Sequence, residues 1–135
     1  MTGSVALHGP PQDSRAIALA AARAALEKHA EAVTVIDLRS LSTVTEFFII
    51  CTAGSGRQIE ALAHHLEAVL AQHGLTLWHT EGTAVPPAGR EELPLRWVLL
   101  DCGDVVVHLF DERARAFYRL EDLWADAPRV MLPPA

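Results

Sequence analysis

The spacing of apolar residues changes period several times along this chain, and each change marks an element. From Asp13 or Ser14, either of which can cap a helix, an alanine-rich stretch predicts a helix to about Ala30 that can pack closely on a sheet. Val33 to Leu38 and Phe47 to Thr52 are short runs of β-branched, aromatic and aliphatic residues that predict two strands, joined by the polar connection 39–46. Ser55 then stands three residues before Gln58, the spacing of a capping box, in which each side chain serves the other's backbone N–H. Ile59, Leu62, Ala63, Leu66 and Leu70 follow a helical period, and Gly74 is placed to end the helix. Leu75 to Thr80 predicts a third strand. Trp97 to Asp101 and Asp104 to Phe110 predict a fourth and a fifth, with only Cys102-Gly103 between them as a tight hairpin turn. Asp111 can cap a last helix to about Tyr118, and a shorter turn carries Leu120, Leu123 and Trp124.

The resulting order is α-β-β-α-β-β-β-α, an α/β chain of the α+β kind with a mixed five-stranded sheet and flanking helices. One domain is expected over 13–130. Residues 1–12, with Gly3, Gly9, Pro10 and Pro11, read as a disordered start without a secretory or transit pattern, and 131–135 as a tail. The segment 82–95 holds Gly82, Pro86, Pro87, Gly89 and Pro94 and reads as a loop.

Composition narrows the function. The chain has 135 residues, half of them hydrophobic, enough for a core without disulfide or metal staples. No apolar run reaches the roughly 18 residues that predict a membrane span. A formal net charge of −6 is the wrong sign for gripping nucleic acid by its phosphates and suits a basic partner. Cys51 and Cys102 lie in or beside apolar runs at no ligand spacing, so they read as reduced thiols of a cytoplasmic protein.

The hairpin carries the most information. A turn at Cys102-Gly103 would pair Asp101 with Asp104, Leu99 with Val106 and Trp97 with His108. Alternation then leaves Val98, Leu100, Val105, Val107 and Leu109 on a wholly aliphatic face. The opposite face holds Trp97, Leu99, Asp101, Asp104, Val106 and His108, a mixture typical of a protein–protein hot spot. The alternative is structural: the aspartates flank the turn, helices cover Trp97, and His108 is hydrogen-bonded inside.

Catalytic patterns are incomplete. Gly54-Ser55-Gly56 between a strand and a helix can cradle a phosphate on free N–H groups. It lacks the following Lys of a Walker loop and the third glycine of a dinucleotide fingerprint. A Gly-Ser turn here also resembles that of nucleotidyltransferases, which need converging carboxylates for metal. The strand after the helix has none before Glu81, leaving Asp101 and Asp104 as the alternative pair with Gly54 to Arg57. The seven histidines have no zinc spacing, and a Cys51–His108 nucleophile pair is the remaining arrangement. No metal, cofactor or enzymatic activity is expected.

Asp37-Leu38-Arg39-Ser40-Leu41-Ser42-Thr43-Val44-Thr45-Glu46-Phe47-Phe48-Ile49-Ile50 resembles the opening signature of the ribosomal silencing factor, or Iojap-like, family. The resemblance continues at Gly54-Ser55-Gly56-Arg57-Gln58, is strongest from Arg96 to Phe110, and runs on from Arg115 to Pro128, covering roughly residues 14–130. It implies a nucleotidyltransferase-like fold without transferase activity. It also implies a cytoplasmic translational repressor that docks on the fourteenth protein of the large ribosomal subunit and blocks joining of the small subunit. Part of the family's implied role is in large-subunit maturation, and its members commonly form homodimers. By position, Trp97 matches the tryptophan at the partner contact, Asp101 and Asp104 the acidic positions facing a basic partner, and Glu81-Gly82 the Glu-Gly after the third strand. The expected partner-binding set is therefore Glu81, Trp97, Leu99, Asp101, Asp104 and His108. The chain departs from the pattern in its longer link over 83–95, and at Gly56 and Cys102, where an acidic or polar residue and an aromatic one are frequent.

Overall fold

The computed structural model describes residues 13–84 and 95–132. The expected disordered start, most of the proline-rich link and the last three tail residues lie outside the described residues. Helix α1 spans Ser14–Glu27 and buries Ile17, Ala18, Ala21, Ala22, Ala24 and Ala25. With no atoms beyond Cβ at most of these positions, its axis comes close to the sheet. Asp13 holds the N-cap backbone position but makes no side-chain cap. The Ser14 hydroxyl instead donates to the Glu46 carboxylate. The helix stops three residues short of Ala30 because His29 turns left-handed at φ 64°. Ala30 N–H then bonds back to Ala25 and His29 N–H to Leu26, a Schellman ending.

The second helix, α2 (Gly56–Gln72), buries the predicted stripe Ile59, Leu62, Ala63, Leu66 and Leu70. Ser55 Oγ accepts from Gln58 N–H at 3.1 Å, as the capping box requires. The glutamine does not reach back to Ser55. Its Oε1 accepts from Gly54 N–H at 2.6 Å and its Nε2 donates to His29 carbonyl at 2.9 Å, tying the start of α2 to the end of α1. At the far end, Gly74 has φ 78°. The N–H groups of Gly74 and Leu75 return to Ala71 and Leu70, the second Schellman ending.

The strands are β1 (Glu31–Asp37), β2 (Phe47–Ala53), β3 (Trp78–Ala84), β4 (Leu95–Asp101), β5 (Val105–Asp111) and β6 (Arg129–Val130). They form one mixed sheet in the order β3-β4-β5-β2-β1-β6. Only β2 and β5 are parallel; every other neighbouring pair is antiparallel. The short β6 makes six strands where the sequence predicts five: Val130 and Arg129 pair with Val35 and Ile36 on β1. The third strand also begins and ends later than predicted. It runs on through Gly82 to Ala84, which the sequence placed in the loop, because these residues pair with β4 from Trp97 back to Leu95. Leu75 N–H is committed to the end of α2, and the ladder starts only at Trp78, opposite Asp101.

The hairpin turn differs by one residue from its prediction. Cys102 N–H bonds to Val105 carbonyl, so the two turn residues are Gly103 and Asp104. Gly103 has φ 86° and Asp104 does not, which is the pattern of a type II′ turn with glycine first. A turn at Cys102-Gly103 would have put a side chain at that first position. Pairing therefore moves by two: Leu99 faces His108 and Trp97 faces Phe110. Because the move is even, each strand residue keeps its face. Asp104 alone leaves the face and stands exposed in the turn.

Helices α1 and α2 cover one face of the sheet, over Phe47, Ile49, Cys51, Val98, Leu100, Val105, Val107 and Leu109. The other face carries a smaller core, Ile36, Leu38, Ile50, Phe110, Ala114 and Ala127. It is roofed by α3 (Glu112–Tyr118), α4 (Leu120–Leu123) and the turn at Trp124. Asp111 caps α3 as predicted, its Oδ1 accepting from Ala114 N–H. No helix among the described residues is long and apolar enough to cross a membrane.

Candidate functional site

The roof over the second face reaches β4, where Trp97 packs against it, but does not extend over the edge strand β3. What it leaves open is a cleft of about 250 Å³ lined by Trp97, Leu99, His108, Phe110, Tyr118 and Leu120. Strand register explains the floor. Trp97 and Phe110 are cross-strand partners, Leu99 and His108 are the next pair, and both pairs point to the roofed side. Tyr118 and Leu120 reach the cleft because Arg119 between them takes a left-handed turn at φ 49°, which separates α3 from α4.

An aromatic row lines this face. Phe48 meets His108 edge-on at 4.5 Å between ring centres, and Trp124 meets Phe48 at 5.9 Å. Phe110 stacks on Tyr118 at 5.8 Å. His108 is enclosed in this row. Its Nε2 is buried and makes no hydrogen bond among the described residues. Burial pushes the imidazole down to about 4, against an upward pull from the Asp101 charge, so it is neutral at physiological pH.

Asp101 closes one end of the face, where its Oδ1 accepts from Gly103 N–H at 2.8 Å. Opposite it on the edge strand is Trp78, 71% exposed. This residue was not in the expected set. Its signal was the period of the strand, which becomes readable only once β3 is known to begin there. Glu81 falls on the other side. It pairs with Val98 and so faces the helices, where its carboxylate meets His79 Nε2 at 2.9 Å. His79 Nδ1 contacts Glu67 of α2. The imidazole thus lies between two carboxylates, whose hydrogen bonds raise its pKa, the Glu67 bond most. The structure brings together Trp97, Leu99, Asp101 and His108, puts Asp104 at the tip of the same hairpin, and separates Glu81 from them by the thickness of the sheet.

The alternative chemical readings meet geometric obstacles. Ala53 pairs with Asp111 and Phe47 with Val105 along the parallel strands. Gly54 to Arg57 therefore lie at one end of the sheet, with Asp101 and Asp104 about 20 Å away at the other. Those carboxylates cannot serve a phosphate at the Gly-Ser turn. Gly54 N–H is already taken by Gln58 Oε1, the Gln58 N–H behind the turn is taken by Ser55 Oγ, and the Arg96 guanidinium lies over Gly56. Asp111, one of the acids at that end, spends its carboxylate on Ala114 and Arg96 N–H groups. Cys51 and His108 sit on opposite faces, and burial pushes the Cys51 thiol up to about 12. No cluster of three metal-ligating side chains exists among the described residues.

Sequence reasoning also missed Arg115. Its guanidinium holds Glu121 through two bonds of 2.9 and 3.0 Å and reaches Ala32 carbonyl, Thr52 Oγ1 and Thr34 Oγ1. This network fastens α3 and α4 to β1 and β2, and so fixes the wall of the cleft.

Comparison with known proteins agrees with this architecture. The family model described as "Ribosomal silencing factor during starvation" matches residues 11–135. A ribosomal silencing factor of Halalkalibacterium halodurans is 41% identical over 106 residues, spanning 78% of this chain and 83% of that protein. One from Bacillus subtilis is 35% identical, spanning 86% of this chain and 91% of that protein. The chloroplastic Iojap protein of Zea mays is 37% identical over 86% of this chain but only 46% of its own length. A crystal structure from Bacillus halodurans superposes with a TM-score of 0.64 at 35% identity, covering 89% of this chain and all of that one. Another, from Chromobacterium violaceum, gives 0.69 at 26% identity, covering 92% and 95%. The chain belongs to the ribosomal silencing factor family.

Proposed function

We propose that this protein represses translation in the cytoplasm by binding the large ribosomal subunit through its fourteenth protein and sterically blocking attachment of the small subunit. The observation that carries the reading is the open end of the second sheet face. It combines an apolar, aromatic-lined cleft, an exposed Trp78, and acidic groups at the hairpin tip on a chain of net charge −6. Large aromatic anchors in a pocket with charges at the rim are how a few residues carry most of a docking energy. The acidic tip favours a basic partner surface and steers its approach. Trp97, Leu99 and His108 form the contact floor, with Asp101 and Asp104 at the rim. Glu81 acts on the opposite face, holding β3 through His79. Assistance to large-subunit maturation would use the same contact, and a homodimer is the expected free form.

The test is co-sedimentation with purified ribosomal subunits. Wild-type protein is expected to travel with large subunits and not with small ones. Trp97→Ala, and separately Asp101→Lys with Asp104→Lys, should lose the association while keeping the wild-type circular dichroism spectrum. Unchanged association of both folded variants sinks this face as the contact.

A further inference from the structure

Glycine in the middle of a strand weakens it, because the residue gives up backbone freedom and packs nothing in return. Gly82 sits in the middle of β3, directly opposite Trp97. A Cβ placed on Gly82 would stand 2.5 Å from Cζ2, 2.8 Å from Cε2 and 3.2 Å from Cη2 of the Trp97 indole. Those are ring atoms of a partly buried side chain, and they cannot slide aside as the tip of a lysine could. The indole therefore lies across the space that any side chain at position 82 would occupy.

We infer that Gly82 is a positioning residue for the docking face: its bare Cα is the seat that holds the Trp97 indole over β3, in the pose that walls the cleft. The inference rests on the proposed contact role of Trp97. It assigns the pose of that anchor to a residue with no side chain of its own. Trp97 has cross-strand neighbours on both sides, Gly82 on β3 and Phe110 on β5. Phe110 is buried and already stacked on Tyr118, so the space available to the indole lies over the glycine. Filling that space forces the ring off β3, toward the cleft or out into water. An aromatic ring covering a strand glycine across a ladder is a known way of recovering packing that glycine lacks.

Two measurements on the full chain test this, one of them independent of the ribosome. In ¹⁵N-labelled protein, the indole N–H resonance of Trp97 is assigned by its loss in Trp97→Phe. Gly82→Ala should move it strongly while those of Trp78 and Trp124 stay near their wild-type positions. An unmoved Trp97 resonance overturns the inference, whatever happens to binding. In co-sedimentation with large subunits, Gly82→Ala should weaken association by about tenfold or more, the scale of a displaced aromatic anchor. Gly82→Ala added to Trp97→Phe, which keeps an aromatic contact but lacks the far ring atoms that meet position 82, should weaken it much less. An equal loss in both backgrounds means that position 82 acts by some other route and overturns the inference. Should Gly82→Ala lower the melting temperature, Trp97→Ala should restore it by removing the clash, and a deficit that persists counts against the seat. If Trp97→Ala itself binds like wild type, the docking reading fails, and the resonance shift still decides whether the seat exists.

Discussion

Lowering the pH from 7.5 to 5 should destabilise this protein through one residue, His108. Its imidazole is enclosed by Phe48 and Phe110 and has an ordinary value of 6.5 that burial pushes down to about 4. In the unfolded chain it takes a proton as the pH falls through 6.5; in the folded chain it resists until about 4. The unfolded state therefore binds more protons across that window, and stability falls as the pH falls. Integrated over the window, the loss is roughly 2 kcal/mol by pH 5 and roughly 3 kcal/mol once both states are protonated. Other groups titrate over the same range, so the effect is isolated by difference. Urea unfolding of wild type and of His108→Phe, at matched protein concentration, is measured at pH 7.5 and pH 5. The wild type should lose about 2 kcal/mol more than the variant between the two. At pH 7.5 the variant should be more stable by about 1 kcal/mol, because it removes a buried nitrogen that has no hydrogen-bond partner among the described residues. Parallel pH dependences of the two proteins would refute the argument and mean that the imidazole is solvated or partnered.

Three further outcomes are expected. Arg115→Ala should cost about 3 kcal/mol in urea unfolding, since it strands the Glu121 carboxylate and releases α3 and α4; a loss below about 1 kcal/mol would show the network to be incidental. Nuclear magnetic resonance titration should find the midpoint of His79 raised above the ordinary imidazole value. Its clamp on Glu67 and Glu81 is fully present below the unfolded value and is lost as pH rises through the elevated one; Glu67→Gln should bring that titration down, and an unchanged midpoint contradicts the pairing. Cys51, buried with its thiol pushed up to about 12, should resist alkylation at pH 8 until urea is added, and rapid labelling of the native protein would place it at the surface.

The sequence made some elements legible because their cause is local. Ser55 three residues before Gln58 caps α2, Asp111 caps α3, and Gly74 ends α2 in a left-handed turn. The aliphatic face of the hairpin could be read from alternation alone. Errors arose where a remote group competes. Gln58 prefers His29 carbonyl and Gly54 N–H over its own cap, which no spacing within the helix reveals. The hairpin turn moved to Gly103-Asp104 because glycine fits the first turn position, a rule that outranks a simple count between apolar runs. The short β6 owes its existence to an edge left open by β1, which the dipeptide Arg129-Val130 does not announce. The site was read in part. Trp97, Leu99, Asp101 and His108 share a face because alternation is strict. Glu81 was expected at the contact but faces the helices, and Trp78, which was not expected there, stands on the cleft side, because the register of β3 on β4 sets the face of each. Tyr118 and Leu120 came from elsewhere in the chain, brought over by the left-handed Arg119.

If the face around Trp97 docks as proposed, the bound protein occupies the surface that the small ribosomal subunit needs. Light scattering during mixing of purified subunits tests it most directly. Added wild-type protein should suppress the rise from subunit joining when it is preincubated with large subunits, and Trp97→Ala should leave the rise intact. Joining that proceeds unimpeded at saturating wild-type protein, or suppression that survives in folded Trp97→Ala, would contradict it.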